Sequence, residues 1–211
     1  MKTLIIVVFL LFSIGNSKAQ NLVPNPSFED TLNCNDTYFY LEALVTHWRG
    51  GMGYYNTCRT NNLGVPNNIT GFQYPRTGNA YCGIYTNLKY TTPIRQYIQT
   101  KLTQKLLNNK KYKISFYVSL GDALHAYTNS IGAYFSEDSF FVSADAFIPQ
   151  IPQIQNNEHN DLSSKTEWTL VCDTFIATGI EQYITIGNFY NDSISNPIPL
   201  YSVCAQPNPF G

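Results

Sequence analysis

The chain has 211 residues, with 13 Lys and Arg against 14 Asp and Glu and a formal net charge of −1. This near balance lacks the basic surplus that nucleic-acid binding requires, so a nucleic-acid partner is excluded. Only 13% of the residues are charged, whereas Tyr (16) and Phe (13) are plentiful. Such a composition favours β-strands joined by polar turns over amphipathic helices, which are rich in Glu, Lys and Ala.

The first 19 residues predict a signal peptide. Lys2 is followed by "TLIIVVFLLFSI", an apolar run of about a dozen residues that is too short to span a bilayer as a helix. Ser17 and Ala19 are small residues at the two positions that signal peptidase recognises, so we expect cleavage after Ala19. The mature protein is therefore expected in the periplasm, on the outer surface or outside the cell; a retained signal anchor is the alternative.

Residues 20–211 are expected to form one β-sandwich domain, because about 190 residues suffice for one sizeable core and are few for two domains. Cleavage removes Lys2 and Lys18 from the 13 basic residues, which changes the net charge from −1 to −3. No later segment is apolar for long enough to span a membrane. We therefore expect a soluble or peripherally attached protein without a membrane span after cleavage.

In chain order, the first element is a short helix or turn predicted over residues 37–48, which leads into a strand at Trp48. Residues 49–79 are dense in Gly, Asn and Pro and are predicted to form a long loop without a regular strand ladder. Loops of this length in a compact domain commonly carry function. This segment is therefore the first place where we expect a binding surface.

The remaining chain predicts seven short strands bounded by turn residues. Residues 110–120 alternate most clearly, with apolar side chains from Tyr112 to Leu120 on one face and Lys and Ser on the other. The short turn "TGIE" between the last two strands predicts an antiparallel hairpin. This spacing indicates an all-β sandwich or jelly roll. The predicted strands are 79–86, 94–102, 110–120, 130–136, 151–155, 167–177 and 181–192.

The five cysteines are Cys34, Cys58, Cys82, Cys172 and Cys204. An odd number in an oxidising compartment leaves at least one without an intrachain partner. Cys34 and Cys58 lie in turn-rich segments, where a disulfide would close a loop of about two dozen residues and stabilise an irregular region, so we expect this pair. Cys82 and Cys172 lie within strand patterns and are expected to be small buried apolar residues. The pairing of Cys82, Cys172 and Cys204 stays open.

Several stretches resemble a known family of exported Bacteroidota domains that precede an OmpA-like peptidoglycan-binding domain or a type IX secretion sorting tail. The stretches include "NLVPNPSFED", "GVPNNITGFQYPRTGNAYCGIYT", "KKYKISFYVSLGDA" and "EQYITIGNFYND", and the matches run from residue 21 to about 192. The opening and the strand order are also similar, more distantly, to jelly-roll carbohydrate-binding modules with a galactose-binding-like fold. That second similarity concerns the fold and not the ligand.

The resemblance has one departure that affects a metal. Family members close with a strand of the "Y-x-D-D-V" kind, whereas this chain has "IPLYSVCAQPNPFG", so we expect an altered or truncated last strand. In carbohydrate-binding jelly rolls a structural calcium often lies between an acid of the first strand and an aspartate of the last, which implies Glu29 and Asp30 as calcium candidates. Without the last aspartate the cation loses oxygen ligands that it needs. We therefore expect no cofactor, with calcium as the alternative.

Aromatic side chains and amides point to ligand binding, because the C–H face of a sugar ring stacks on a flat ring while polar groups bond its hydroxyls. The alternative is that these rings cover sheet edges or pack under loops. Trp48 and Trp168 each begin a predicted strand among apolar neighbours and are expected in the core. The candidate ligand-binding residues are Tyr54 and Tyr55 in the long loop, Arg95, Tyr97 and Gln99 on one strand face, and Tyr117 on the polar face of its strand.

The sequence does not predict an enzyme. Ser119, Asp122 and His125 are close along the chain, but no G-x-S-x-G motif or oxyanion loop accompanies them. We expect a non-catalytic exported protein that binds a glycan or another cell-envelope component. The alternatives are a structural envelope protein with protein partners, which is favoured by the same aromatic content, and an accessory domain of a secreted hydrolase.

Overall fold

The computed structural model describes residues 20–35, 40–51, 53–60, 62–89, 93–140, 147–191, 195 and 197–200. The predicted signal peptide and Cys204 lie outside these residues. Within them, all regular structure is β except one turn of 3-10 helix, Leu41–Ala43, which leads into a strand at Trp48. The all-β prediction and the short helix before Trp48 are confirmed. No helix in the described ranges has the length and apolar character needed to cross a membrane.

The described strands are short and all of their pairings are antiparallel. They are β1 (Trp48–Gly50), β2 (Gly53–Asn56), β3 (Asn67–Asn68), β4 (Gly71–Phe72), β5 (Ala80–Gly83), β6 (Leu88–Lys89), β7 (Pro93–Ile94), β8 (Ile98–Lys101), β9 (Lys111–Val118), β10 (Ala126–Tyr127), β11 (Gly132–Ser136), β12 (Ile154–Gln155), β13 (Thr169–Ile176), β14 (Tyr183–Gly187) and β15 (Ile198–Pro199).

One layer of the fold is a five-stranded sheet in the order β1-β8-β14-β11-β12. Ile98 pairs with Ile186, and Phe135 pairs with Ile184, so β-branched and aromatic side chains line up on the inner face of this sheet. Its outer face is covered by Ile148 and Phe189, which pack together with Tyr97. The central part of the sheet is therefore buried on both faces, whereas Lys101 and Gln155 are exposed.

The second layer consists of two strand pairs, β2 with β5 and β9 with β13. Tyr54 packs with Trp48 and Ile98 of the first layer, and Phe116 packs with Phe135 and other residues of the five-stranded sheet. Alternation along β9 follows the predicted pattern, since its apolar positions are less exposed than its lysines. The two layers enclose the core as a β-sandwich requires.

Two predictions about strand arrangement are wrong. The predicted hairpin does not form, because β13 pairs with β9 whereas β14 pairs with β8 and β11 in the other layer. The chain therefore changes layers across residues 177–182. Residues 49–79 do contain ladders, since β2, β3 and β4 lie within them. Some of the Gly and Asn residues of this segment lie within these strands, and others flank them.

The predicted disulfide is confirmed between Cys34 and Cys58, with a Cα–Cα distance of 5.9 Å and a sequence separation of 24. It links the N-terminal segment to the chain that follows β2. This bond holds an irregular region next to a layer of the core.

Candidate functional site

A tight hairpin formed by β3 and β4 carries exposed aromatic side chains on the molecular surface. Asn67 pairs with Phe72 and Asn68 with Gly71, which leaves Ile69 and Thr70 at the tip. Asn68 Oδ1 accepts hydrogen bonds from the backbone N–H and the hydroxyl of Thr70, at 3.0 and 2.6 Å. An Asn side chain that bonds two residues ahead is a typical device for ordering a turn.

The hairpin is fastened to the loop that follows β9. The Phe72 N–H donates to Asp122 Oδ2 at 2.8 Å, and the Ala123 N–H donates to Thr70 O at 3.0 Å. A Cβ at Gly71 would lie 2.4 Å from the Asp122 Cβ, and the Gly71 φ is +128°, so this position requires glycine. Lys165 Nζ in turn donates to the Asp122 carbonyl at 2.7 Å. The hairpin is therefore held in one orientation.

Phe72 and Tyr74 present their rings to solvent, with exposed fractions of 48% and 63%. Their centroids are 5.2 Å apart at an interplanar angle of 89°. Trp168 Nε1 donates to Tyr74 O at 2.9 Å, which attaches the end of the hairpin to the start of β13. The Trp168 ring contacts Tyr81 edge-on at 5.6 Å. The backbone that carries the two exposed rings is therefore fixed by hydrogen bonds on both sides.

Arg76 extends this surface. Its guanidinium carbon lies 3.5 Å from the centroid of the Tyr117 ring, which is a cation–π contact. Ser119 Oγ donates to Gln73 Oε1 at 3.3 Å, so the Gln73 amide is also positioned near the rings. We call the surface formed by Phe72, Tyr74, Arg76, Tyr117 and Trp168 the aromatic platform.

The platform combines two kinds of chemistry. The rings of Phe72 and Tyr74 offer apolar faces, and the Arg76 guanidinium and the Gln73 amide offer hydrogen-bond donors beside them. This set of groups is suited to a ligand with an apolar face and a polar rim. Nothing in the set supplies a nucleophile with an adjacent base.

The structure does not place Tyr54 and Tyr55 where the sequence predicted. Tyr54 is 0% exposed, and its hydroxyl bonds Thr31 Oγ1 at 2.8 Å and donates to Phe28 O at 3.2 Å. Tyr55 is 4% exposed and packs on Tyr81. Burial raises the pKa of the Tyr55 hydroxyl to about 12. The expectation that these two rings are exposed is therefore wrong. β2 pairs with β5, and the two rings lie on opposite faces of this strand pair, both of which are covered.

The predicted polar strand face is also buried. Arg95, Tyr97 and Gln99 are 2%, 6% and 5% exposed. The Tyr97 hydroxyl donates to Asn188 O, Arg95 donates to the same carbonyl, and Gln99 Nε2 donates to Thr185 Oγ1 at 2.7 Å. Residues 147–148 and 188–189 cover this face of the sheet, so its polar groups stabilise the fold and are not accessible to a ligand.

Tyr117 lies on the outer face of β9, as predicted, but Trp168 does not lie in the core. Trp168 is half-buried at the edge of the platform, whereas Trp48 is 4% exposed and belongs to the core, as predicted. Phe72 and Tyr74 are not among the residues predicted from the sequence. The signal that could have found them is "GFQYP", two aromatic residues at alternate positions between a glycine and a proline within the segment singled out for binding.

The two calcium candidates, Glu29 and Asp30, differ in their contacts and exposure. Glu29 Oε1 accepts hydrogen bonds from the Asn79 and Ala80 N–H groups, at 2.8 and 3.1 Å, and Oε2 accepts one from Asn79 Nδ2 at 3.2 Å. Asp30 is exposed. Among the described residues, no group of three or more His, Cys, Asp or Glu is arranged to hold a metal ion. The role visible for the Glu29 carboxylate is to fasten the turn before β5.

The two described free cysteines differ from each other. Cys82 is half-buried, and desolvation of its thiol raises the pKa to about 12. Cys172 is exposed on β13, so the prediction that it is buried is wrong. The reason is that its strand position faces outward, as does that of Leu170 two residues before it.

Comparisons of the chain with protein-family models, with curated proteins and with solved structures found no match.

Proposed function

We propose that this is an exported, non-catalytic protein that binds a glycan of the cell envelope or of its surroundings through the aromatic platform. The observation that carries the proposal is the exposure of Phe72 and Tyr74 on a hairpin that Asp122 and Trp168 fasten from two sides. A solvent-exposed ring on a braced backbone loses little conformational entropy when a ligand stacks on it.

The charges of the chain and of the platform favour a neutral or weakly anionic glycan as the ligand. The chain carries nearly equal numbers of acidic and basic residues, so it has no general attraction for polyanions. Arg76 is a single exposed cation on the platform, and its stacking on Tyr117 leaves donors free to bond hydroxyl or carboxylate oxygens. A sugar with equatorial hydroxyls around an apolar face fits these groups.

The Cys34–Cys58 disulfide supports the exported location, since such bonds persist in oxidising compartments. The proposed signal peptide and the family resemblance point to the same location. The platform proposal does not depend on the domains that accompany relatives in that family.

A protein partner is the second candidate, because Ile69 at the tip of the hairpin is 65% exposed and an aliphatic side chain is not needed for sugar stacking. With Phe72 and Tyr74 it forms an apolar patch of the kind that protein interfaces use. The two candidates differ in whether a purified saccharide alone is bound.

The test is affinity electrophoresis followed by calorimetry on a panel of soluble β-glucan, xylan, alginate, pectin and peptidoglycan fragments. Phe72→Ala and Tyr74→Ala are expected to weaken binding of the recognised glycan by about tenfold each, or about 1.4 kcal/mol. Tyr40→Ala is the matched control, because Tyr40 is 57% exposed and lies outside the platform. Unchanged affinity in both platform variants would refute the site, and capture of a protein without any saccharide response would favour the second candidate.

A further inference from the structure

A cleft of about 530 Å³ lies between β9 and a wall formed by β5 and residues 20–28. Its floor is apolar and includes Ile184 and Ile186 of the five-stranded sheet. Ile114 and Phe116 of β9 face this interior but remain only half-buried. Interiors of proteins are close-packed, so the partial exposure of these side chains marks space that an apolar occupant would fill.

The edge of β9 that faces the cleft offers unpaired backbone groups. Asn160 Nδ2 donates to Leu170 O, which therefore points away from β9. Along a strand of an antiparallel pair, the backbone N–H and C=O groups of successive residues point alternately toward the partner strand and away from it. Tyr117, the partner of Leu170, therefore directs its N–H and C=O away from β13. Ser115 and Lys113 share this orientation. All three line the cleft, and these backbone groups have no hydrogen-bond partner among the described residues.

β5, on the opposite wall of the cleft, also turns backbone groups toward the cleft. The Thr57 N–H donates to Asn79 O, so by the same alternation Cys82 directs its backbone groups away from β2. Cys82 also lines the cleft. The second layer thus has two strand edges turned toward one apolar space, and β5 and β9 are not paired with each other.

We propose that this cleft binds an extended polypeptide strand from a partner protein, which pairs with the edge of β9 and inserts alternate apolar side chains into the cleft. Unpaired N–H and C=O groups along a strand specify another strand as their partner. The apolar floor specifies small or branched apolar residues at every second position. The cleft adjoins the aromatic platform and shares Arg76, Tyr117 and Trp168 with it, but the proposal does not depend on the ligand proposed for the platform.

The surroundings also define the form and the charge of the partner. Residues 20–28 and β5 line the far side of the cleft opposite β9, so a single extended segment fits between the two walls better than a strand that brings its own sheet. Lys111 and Lys113 are exposed on β9, and Arg76 is exposed at the cleft wall. Acidic residues at the solvent-facing positions or ends of the segment would complement these three cations.

The test uses the purified chain and a capped, fluorescein-labelled peptide of eight residues, matched to the eight residues of β9, in which valine alternates with threonine between two terminal aspartates. Fluorescence polarisation measures its affinity. Ser115→Pro removes the N–H that faces the cleft and leaves the ladder with β13 intact, and Ser115→Ala is the matched control that keeps the N–H. We expect Ser115→Ala to bind as the unmodified chain does and Ser115→Pro to bind at least about tenfold more weakly.

A second probe needs no variant. The same peptide with methyl groups on alternate backbone nitrogens cannot donate to β9 and is expected not to bind, and a peptide with terminal lysines instead of aspartates is expected to bind more weakly. Equal affinity for Ser115→Pro and Ser115→Ala, equal affinity of the methylated peptide, or no binding of the first peptide at about 1 mM would each overturn the proposal. If the unmodified chain does not bind the first peptide but does bind dodecanoate, the cleft is assigned instead to apolar small molecules.

Discussion

Phe72 and Tyr74 are exposed because the turn that carries them is fastened from below, through the Asp122 carboxylate and the Trp168 indole. Tyr54 and Tyr55, which lie earlier in the same segment 49–79, are buried because their strand pairs with β5 and packs on the core. At the scale of single residues, access to solvent thus depends on which backbone bonds a segment makes and not on the residue type.

Thiol reactivity tests this distinction at Cys82 and Cys172. With Cys204→Ser as background, we expect a disulfide-exchange reagent at pH 8 to modify Cys172 rapidly and Cys82 much more slowly. The reason is that Cys172 is exposed, whereas burial raises the pKa of the Cys82 thiol to about 12 and leaves little thiolate. Absorbance of the released thiol measures the rate, and Cys172→Ser is the control. Equal rates at the two cysteines would contradict the described burial of Cys82.

The sequence predicted some residues and not others for physical reasons. The partners Cys34 and Cys58 and the core position of Trp48 followed from local composition. The burial of Arg95 and Gln99 could not follow from alternation, because alternation separates two faces of a strand and does not tell whether a distant loop covers the second face. Here Phe147 stacks on Arg95, Ile148 packs on Tyr97, and Gln99 is bonded by Arg49 and Thr185.

At the scale of elements, the turn between β13 and β14 is organised by one carboxylate. Glu181 Oε1 accepts hydrogen bonds from the N–H and the hydroxyl of Thr178, both at 2.9 Å, and Oε2 accepts one from the Gly179 N–H at 3.0 Å. The Gly179 φ is +87°, and a Cβ there would lie 2.8 Å from the Asn108 Cβ. This local network turns the chain from one layer to the other, which explains why the short "TGIE" segment is not a hairpin turn.

This network predicts an acid-sensitive contribution to stability. Burial of Glu181 raises the pKa of its carboxyl, but the hydrogen bonds from Thr178 and Gly179 outweigh it, so the pKa is lowered. A lowered pKa in the folded state stabilises the protein above the unfolded value, about 4.3, and this stabilisation is lost as the pH falls through the folded value. We expect Glu181→Gln to reduce the free energy of unfolding by about 1–3 kcal/mol at pH 7, with a difference that shrinks toward pH 3.

Urea unfolding of both chains at several pH values measures this difference. Glu137→Gln is the control, because Glu137 is exposed, and its substitution is expected to change stability little at any pH. A constant difference between Glu181→Gln and the unmodified chain from pH 7 to pH 3 would show that the carboxylate charge does not contribute.

At the scale of the whole molecule, the sequence predicted the all-β class and the positions of most strands, but not how they pair. Period-two patterns in β9, β13 and β14 show which face of each strand is apolar. They do not show which strand pairs with which, because the apolar face of every strand can pack against the same core whatever its neighbour is. The pairing of β9 with β13 joins strands about fifty residues apart and is set by tertiary packing.

The pairing scheme also creates the two surfaces on which the proposals rest. The loop after β9 and the start of β13 support the platform, and the opposite edge of β9 borders the cleft. Both surfaces therefore depend on the same strand pair. A ligand at either surface would stabilise the second layer, which is the less continuous of the two.

The most direct test of the platform is the fluorescence of Trp168 during titration with a recognised glycan. The chain has two tryptophans; Trp48 is buried in the core, and Trp168 adjoins Tyr74 at the platform. We predict a saturable change in fluorescence emission, and we expect Trp168→Phe to abolish it because the remaining Trp48 is remote from the ligand. Phe72→Ala and Tyr74→Ala are expected to raise the glycan concentration at the midpoint by about tenfold. Glycan binding by calorimetry with unchanged Trp168 emission and unchanged affinity in both variants would contradict the account.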